Sequence, residues 1–261
     1  MLKFLLKPKW IALTLVAILL QPAFFALSDW QWRRLHQRET YNTIILDNQN
    51  KTAVSLDEAI TQAPAARQPS VDPTWQWRPI SVTGTWDVSH QVLVRKKSYE
   101  SNLGFWVVTP ITDAAHHSIL VNRGWIPASA SALTSPAVLP APKGIVSIIG
   151  RLRIIAPRNK PQPTDLPHGQ VDAIQPSEVL PTSSGVSNGY LELSASTPQS
   201  MTSDLSPIQP PEITEGPHRS YALQWIFFAI MTVIGYIILV RKQIQDNQIE
   251  SLKSNTTHLS S

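Results

Sequence analysis

Two runs of apolar residues stand apart from the rest of the chain. Trp10–Leu27 is 18 residues without a charge, interrupted only by Thr14, Gln21 and Pro22. Tyr221–Val240 is 20 residues without a charge, with Gln224 and Thr232 as its main polar groups. A helix needs about 20 apolar residues to cross a hydrocarbon layer of roughly 30 Å, so each run predicts a transmembrane span. Between them the period changes. In Asp29–Asn48, Trp32, Leu35, Tyr41, Ile44 and Ile45 recur at nearly helical spacing and predict a helix leaving the membrane. Ser55 with Glu58 three residues on predicts the capped start of a short helix over Ser55–Ile60. From Trp75 the alternation is two-fold, and strands are predicted at Trp77–Trp86, Gln91–Lys97, Phe105–Ile111, Ser118–Ile126, Val146–Ile155 and Tyr190–Leu193. Arg78, Ile80, Val82 and Gly84 share one face of the first of these. Short strands separated by turns favour a mostly antiparallel sheet or a partly open barrel.

Proline punctuates the rest. Fourteen of the 22 prolines lie between Pro136 and Pro217, and Ala195–Pro217 is rich in Ser, Thr and Pro with almost no apolar period, which predicts a stiff linker. The expected organisation is a short N-terminus (1–9), span one (10–27), an α+β, β-rich domain (28–194), the linker (195–217), span two (218–240) and a tail (241–261). Trp-Gln-Trp-Arg occurs at Trp30 and again at Trp75. The flanks and predicted settings differ, so the recurrence is read as coincidence.

Charge fixes the expected orientation. Residues 1–27 carry +3, residues 241–261 carry +1 (three basic, two acidic), and residues 28–240 balance 16 basic against 16 acidic, which sums to the net +4. Lys3, Lys7 and Lys9 precede span one, and Arg241 and Lys242 follow span two. By the positive-inside rule both termini are cytoplasmic and the central domain lies outside the cytoplasm of a cell (plasma or inner) membrane. The three lysines would also suit a signal peptide. Poor cleavage signals, and Trp30 and Trp32 placed where an interfacial belt would be, favour an uncleaved anchor. No basic face remains for nucleic acid, so the lipid bilayer is the partner that the charge implies. The absence of Cys excludes a disulfide scaffold, a thiolate metal site and a cysteine nucleophile.

Candidate chemistry is sparse. No phosphate-binding loop, no Gly-x-Ser-x-Gly and no His-Glu-x-x-His is present, and nothing specifies an enzyme. His116 and His117 are adjacent and fit a turn better than a shared metal. Asn122-Arg123-Gly124-Trp125 reads as a turn ending a strand, with Arg123 paired locally. The outer edge of span two offers more. His218, Tyr221, Ala222 and Trp225 fall at i, i+3, i+4 and i+7 and would line one helical stripe. One reading places His218 and Arg219 at the headgroups, with Tyr221 and Trp225 as an aromatic belt. The other is a site for a planar, metal-bearing ligand, with His218 as axial donor, Trp225 and Tyr221 as walls and Arg219 or Arg33 for its acidic substituents.

Several ordered segments together resemble the Surfeit locus protein one family, the membrane-anchored assembly factors of haem–copper cytochrome oxidase. They are Trp30-Gln31-Trp32-Arg33-Arg34-Leu35, Gly84-x-Trp86, Gln91-Val92-Leu93-Val94-Arg95, Gly104-Phe105-Trp106-Val107-Val108-Thr109-Pro110, Leu120-Val121-Asn122-Arg123-Gly124-Trp125-Ile126-Pro127, Gly150-Arg151-Leu152-Arg153, Gly189-Tyr190-Leu191 and Gly216-Pro217-His218-Arg219-Ser220-Tyr221-Ala222-Leu223-Gln224-Trp225. The resemblance runs from about Trp10 to Val240. It departs at Ser28-Asp29, where the family has Leu-Gly, at Arg219, where Leu is common, and in the Pro-rich stretch from Pro157 to Gly189. It implies a non-enzymatic assembly factor working with cytochrome c oxidase subunit I and other oxidase assembly factors. It also implies that haem a is bound or presented for insertion, with the family's proposed haem-binding His and Trp falling on His218 and Trp225. The alternative is a haem-independent scaffold that stabilises subunit I.

Overall fold

The computed structural model describes residues 3–61, 69–129, 134–138, 140–156, 158, 161–180, 185–198 and 205–259. Contacts divide the chain into two units, 1–42 with 214–261, and 43–213.

The first unit is a pair of long helices, α1 (Pro8–Gln49, whose last turns belong to the second unit) and α4 (His218–Leu259). Both are long and apolar enough to cross a membrane, and their apolar windows are almost wholly unburied within the protein. Contacts at 14 with 236, 24 with 225 and 228, 28 with 222 and 31 with 218 run in opposite order, so the helices are antiparallel. Span one and the helix expected over Asp29–Asn48 form one continuous helix, and α4 runs on through most of the expected tail. Pro22 lies inside α1, a position that membrane helices tolerate.

The second unit is the β domain. Its elements are β1 (Val54–Ser55), α2 (Leu56–Thr61), β2 (Pro79–Trp86), β3 (Val92–Tyr99), β4 (Asn102–Asp113), β5 (Ser118–Pro127), β6 (Ile145–Ile154), β7 (Gln170–Val171), α3 (Pro176–Val179) and β8 (Gly185–Thr197). β2, β6, β8, β5 and β4 pair in that order, and β2 pairs again with β4, which closes a five-stranded barrel. Of its pairings only β5–β8 is parallel. β3 extends the sheet along the first half of β4, with β7 beyond it, and β1 lies against β2.

The two-fold alternation produces this barrel directly. Ile80 and Val82 of β2, Val146, Ile148 and Leu152 of β6, Ile119 and Val121 of β5 and Leu191 of β8 are buried in one cluster, with Leu56 and Ala59 of α2 packed onto it. The α2 start is capped as its sequence implies, with Glu58 N donating to Ser55 Oγ at 3.1 Å. Closure depends on Gly84. A Cβ there would stand 2.1 Å from the Thr112 carbonyl oxygen, so only glycine lets β2 approach β4 this closely.

The expectations fail in two places. Asn122–Trp125 is not a turn: it lies within β5, where Val107 pairs with Gly124 and Val108 with Asn122, leaving Arg123 as the extra residue of a bulge. Nor is 195–217 wholly a linker. β8 continues to Thr197 against Ser147, Leu205 is buried, and Ser206 exchanges main-chain hydrogen bonds of 2.8 Å with Trp125. Prolines deprive residues 205–211 of periodicity without preventing them from docking, and 199–204 of the expected linker lie outside the described residues. The two Trp-Gln-Trp-Arg stretches occupy different settings, inside α1 and at the short helical turn Pro73–Trp75 before β2.

Candidate functional site

His218 opens α4, immediately after the Gly216–Pro217 turn, and Tyr221 N donates to Pro217 O at 3.1 Å. Proline suits a helix start because its missing N–H would have no intrahelical partner there. The seam with α1 is built from three layers. Outermost, His218 Nδ1 and Gln31 Oε1 lie 2.9 Å apart, and Gln31 is buried. Next, Ser28 Oγ donates to the Ala222 carbonyl at 3.1 Å. Below these, Trp225 stacks on Phe24 with ring centroids 6.1 Å apart and meets Phe228 edge-on at 5.8 Å. Ala222 and Ala229 are buried, and their small side chains allow the helices to approach. At the far end Thr14 Oγ1 and Tyr236 OH are 2.7 Å apart. From Thr14 to Gln31 is about 26 Å at helical rise, so polar clamps bracket one hydrocarbon thickness.

The observed stripe differs in phase from the expected one. His218, Ala222 and Trp225 do face α1, but Tyr221 is 47% exposed and stands outside the seam. Arg219 is exposed as well. Arg33 pairs with Asp29 at 2.6 Å, one turn away on α1. Sequence reasoning brings the Trp30–Arg34 segment beside His218 without singling out Gln31, and it misses Ser28 as a seam partner. A signal was present, since Phe24, Ser28 and Gln31 repeat at i, i+4 and i+7.

This geometry has a chemical consequence. The Gln31 amide oxygen accepts from Nδ1–H, so in the neutral ring the lone pair lies on Nε2, and among the described residues no hydrogen bond reaches it. An imidazole oriented through Nδ1 with a free Nε2 is the arrangement metal-ligating histidines adopt. The seam also leaves one polar atom unsatisfied, the buried Trp225 Nε1. The residues present would therefore offer a haem iron a single imidazole donor, with an indole N–H two helical turns deeper. No cluster of three or more metal-ligating side chains occurs among the described residues.

In the β domain, Asp113 Oδ1 accepts from Ala115 N and His117 N, so His116 and His117 sit in the β4–β5 turn. Arg123 is only 1% exposed: its Nη1 donates to Gln91 Oε1 at 3.3 Å, its guanidinium lies 5.6 Å over the Trp86 ring, and burial pushes its pKa down.

The SURF1 family model matches residues 18–230. Uncharacterized SURF1-like proteins of Mycobacterium bovis and Mycobacterium tuberculosis are 29% identical over 238 residues, covering 90% of this chain and 84% of theirs.

Proposed function

The chain belongs to the SURF1 family, and from that membership we propose an assembly factor for haem–copper cytochrome oxidase that binds or presents haem a for insertion into subunit I. Two membrane helices anchor the β domain. The lysines before the first span and Arg241 and Lys242 after the second support an orientation with both termini in the cytoplasm and the β domain outside.

The observation that carries the haem role is the His218–Gln31 pair. Haem a, when held, supplies an iron that accepts an imidazole lone pair. Gln31 holds the Nδ1 proton and so presents Nε2 as that donor. The aromatic layer of Trp225, Phe24 and Phe228 stiffens the helix pair beneath it. Arg219, exposed beside His218, supplies a fork of donors suited to propionates, whereas Arg33 is engaged with Asp29. A single protein ligand suits cargo that must be passed on, because one coordinate bond is easier to exchange than two.

The test is a spectral titration of purified full-length protein with ferric haem a. The wild-type chain is expected to give a low-spin or mixed-spin histidine-ligated spectrum, and His218→Ala is expected to lose it. An unchanged spectrum in His218→Ala removes the ligand role. Wild-type protein that takes up no haem while still co-purifying with subunit I would instead support the haem-independent scaffold.

A further inference from the structure

The outer end of α1 carries three arginines within six residues, Arg33, Arg34 and Arg38. Helical spacing separates them. Successive residues lie about 100° apart around an α-helix, so Gln31, Arg34 and Arg38, at i, i+3 and i+7, share one face. Arg33, two residues from Gln31, lies about 160° away from it. Gln31 fixes the direction of the shared face, because its amide oxygen is 2.9 Å from His218 Nδ1. Arg34 and Arg38 therefore stand beyond the His218 level on the His218 side of α1, about 4.5 Å and 10.5 Å farther along the helix than Gln31.

The charges on the two faces are in different states. Arg33 is neutralised by Asp29 at 2.6 Å. Arg34 has a neutral partner, the Gln37 amide, whose Oε1 accepts from Nη1 at 3.2 Å. Among the described residues no carboxylate pairs with Arg34 or Arg38: Glu39 is taken by His36 at 3.0 Å, and Glu215, just before the Gly216–Pro217 turn, pairs with neither. Both arginines are exposed. Like charges at i, i+4 on a helix repel each other, so the pair is a local excess of positive charge that carboxylates would relieve.

Inward of Gln31 the same face of α1 turns apolar. Leu27 and Phe24 lie at i−4 and i−7 from Gln31, and Phe24 stacks on Trp225 and meets Phe228 at 6.2 Å. One stripe thus offers apolar contact, then the imidazole held by Gln31, then two cations. A haem offers its partners in that order: an apolar edge, a central iron and an edge bearing two acids. At this level α4 contributes one arginine, Arg219, whose single fork cannot match two propionates.

We propose, resting on the haem reading above, that Arg34 and Arg38 receive the propionate edge of haem and so set which edge faces outward when His218 takes the iron. Arg33, adjacent in sequence and equal in charge, has no part in this. Arginine suits the task because its planar fork matches a carboxylate and stays charged.

The experiment titrates full-length protein in neutral detergent micelles with ferric haem a and with its propionate dimethyl ester, reading the Soret change across a range of salt. The wild-type chain is expected to bind the diacid about tenfold more tightly than the ester, the scale of two charge-assisted pairs at an exposed site, and the ratio should shrink as salt is raised. In the double variant Arg34→Gln, Arg38→Gln the two forms should bind within about twofold of each other, with the histidine-ligated spectrum kept. Arg33→Gln removes the same charge from the same turn and should keep the wild-type ratio. Equal binding of the two forms to the wild-type chain, a full preference in the double variant, or an equal loss in Arg33→Gln would overturn the proposal and leave ligation by His218 standing. Uptake of neither form by the wild-type chain would overturn the haem reading, and this assignment with it.

Discussion

Replacing Gln31 by Leu should weaken haem binding at His218 by about tenfold without disturbing the helix pair. The substitution is close in volume and leaves a buried seam position apolar, so packing cost is small. It removes the acceptor 2.9 Å from Nδ1. A neutral hydrogen bond of this kind contributes about 1 kcal/mol net, or roughly fivefold in affinity. Without it both imidazole tautomers become available, and only the one protonated on Nδ1 presents Nε2 to iron, a further factor of about two. The product, about tenfold, sits at the lower end of the range found when a histidine ligand loses its outer-shell partner. The assay is the titration described above, with the dissociation constant read from the Soret change. Gln31→Glu keeps an acceptor at the same place and should retain or improve affinity. Wild-type affinity in Gln31→Leu would refute the orienting role, and so would an equal loss in Gln31→Glu.

Two further predictions concern the β domain. Gly104→Ala should destabilise it by about 3 kcal/mol or more, because the added Cβ meets the Ile126 carbonyl oxygen at 2.1 Å as well as the Trp125 ring; chemical denaturation of the full chain checks this, and a wild-type midpoint would contradict it. The Asp172 carboxyl is held below its ordinary value of 3.8 by the hydrogen bond from Arg158 Nη2, aided by Lys96. A carboxyl whose folded pKa is depressed stabilises the fold above its unfolded pKa and loses that contribution as pH falls through the folded one. Asp172→Asn should therefore lower the thermal midpoint at neutral pH and lose this disadvantage progressively below about pH 4, as melts across that range would show.

What was legible in the sequence follows from the range of the interactions. Both membrane helices were legible because a bilayer-length apolar run depends on nothing outside itself. The barrel strands were legible because one face of each is buried, so the alternation of Ile80 and Val82, or of Val146 and Ile148, is written locally. Closure of the barrel was not, since it depends on β2 meeting both β6 and β4. The parallel β5–β8 pairing joins segments far apart in sequence and was equally hidden. β8 was underestimated because Ser187, Asn188 and Gly189 at its start do not look like strand residues. Arg123 reads as a turn residue because a charged side chain beside glycine usually is one; the bulge that buries it needs the register of β4. At the helix pair, His218 and Trp225 could be aligned from α4 alone, while Tyr221 left the stripe because the seam follows Ala222 and Ala229, a phase that only the facing helix sets. Arg151, Arg153 and Glu192 form an ion triad across β6 and β8, and nothing in either strand alone announces it.

We propose that this chain serves the haem centre of a cytochrome oxidase through His218. It is tested most directly by reduced-minus-oxidised spectra of membranes from a deletion strain carrying an empty vector, the wild-type chain or His218→Ala. The prediction is a selective loss of the haem a band in the empty-vector strain, restored by the wild-type chain and restored poorly by His218→Ala expressed at the same level. A full haem a band in the deletion strain would contradict the assembly role, and full restoration by His218→Ala would contradict the role of the histidine.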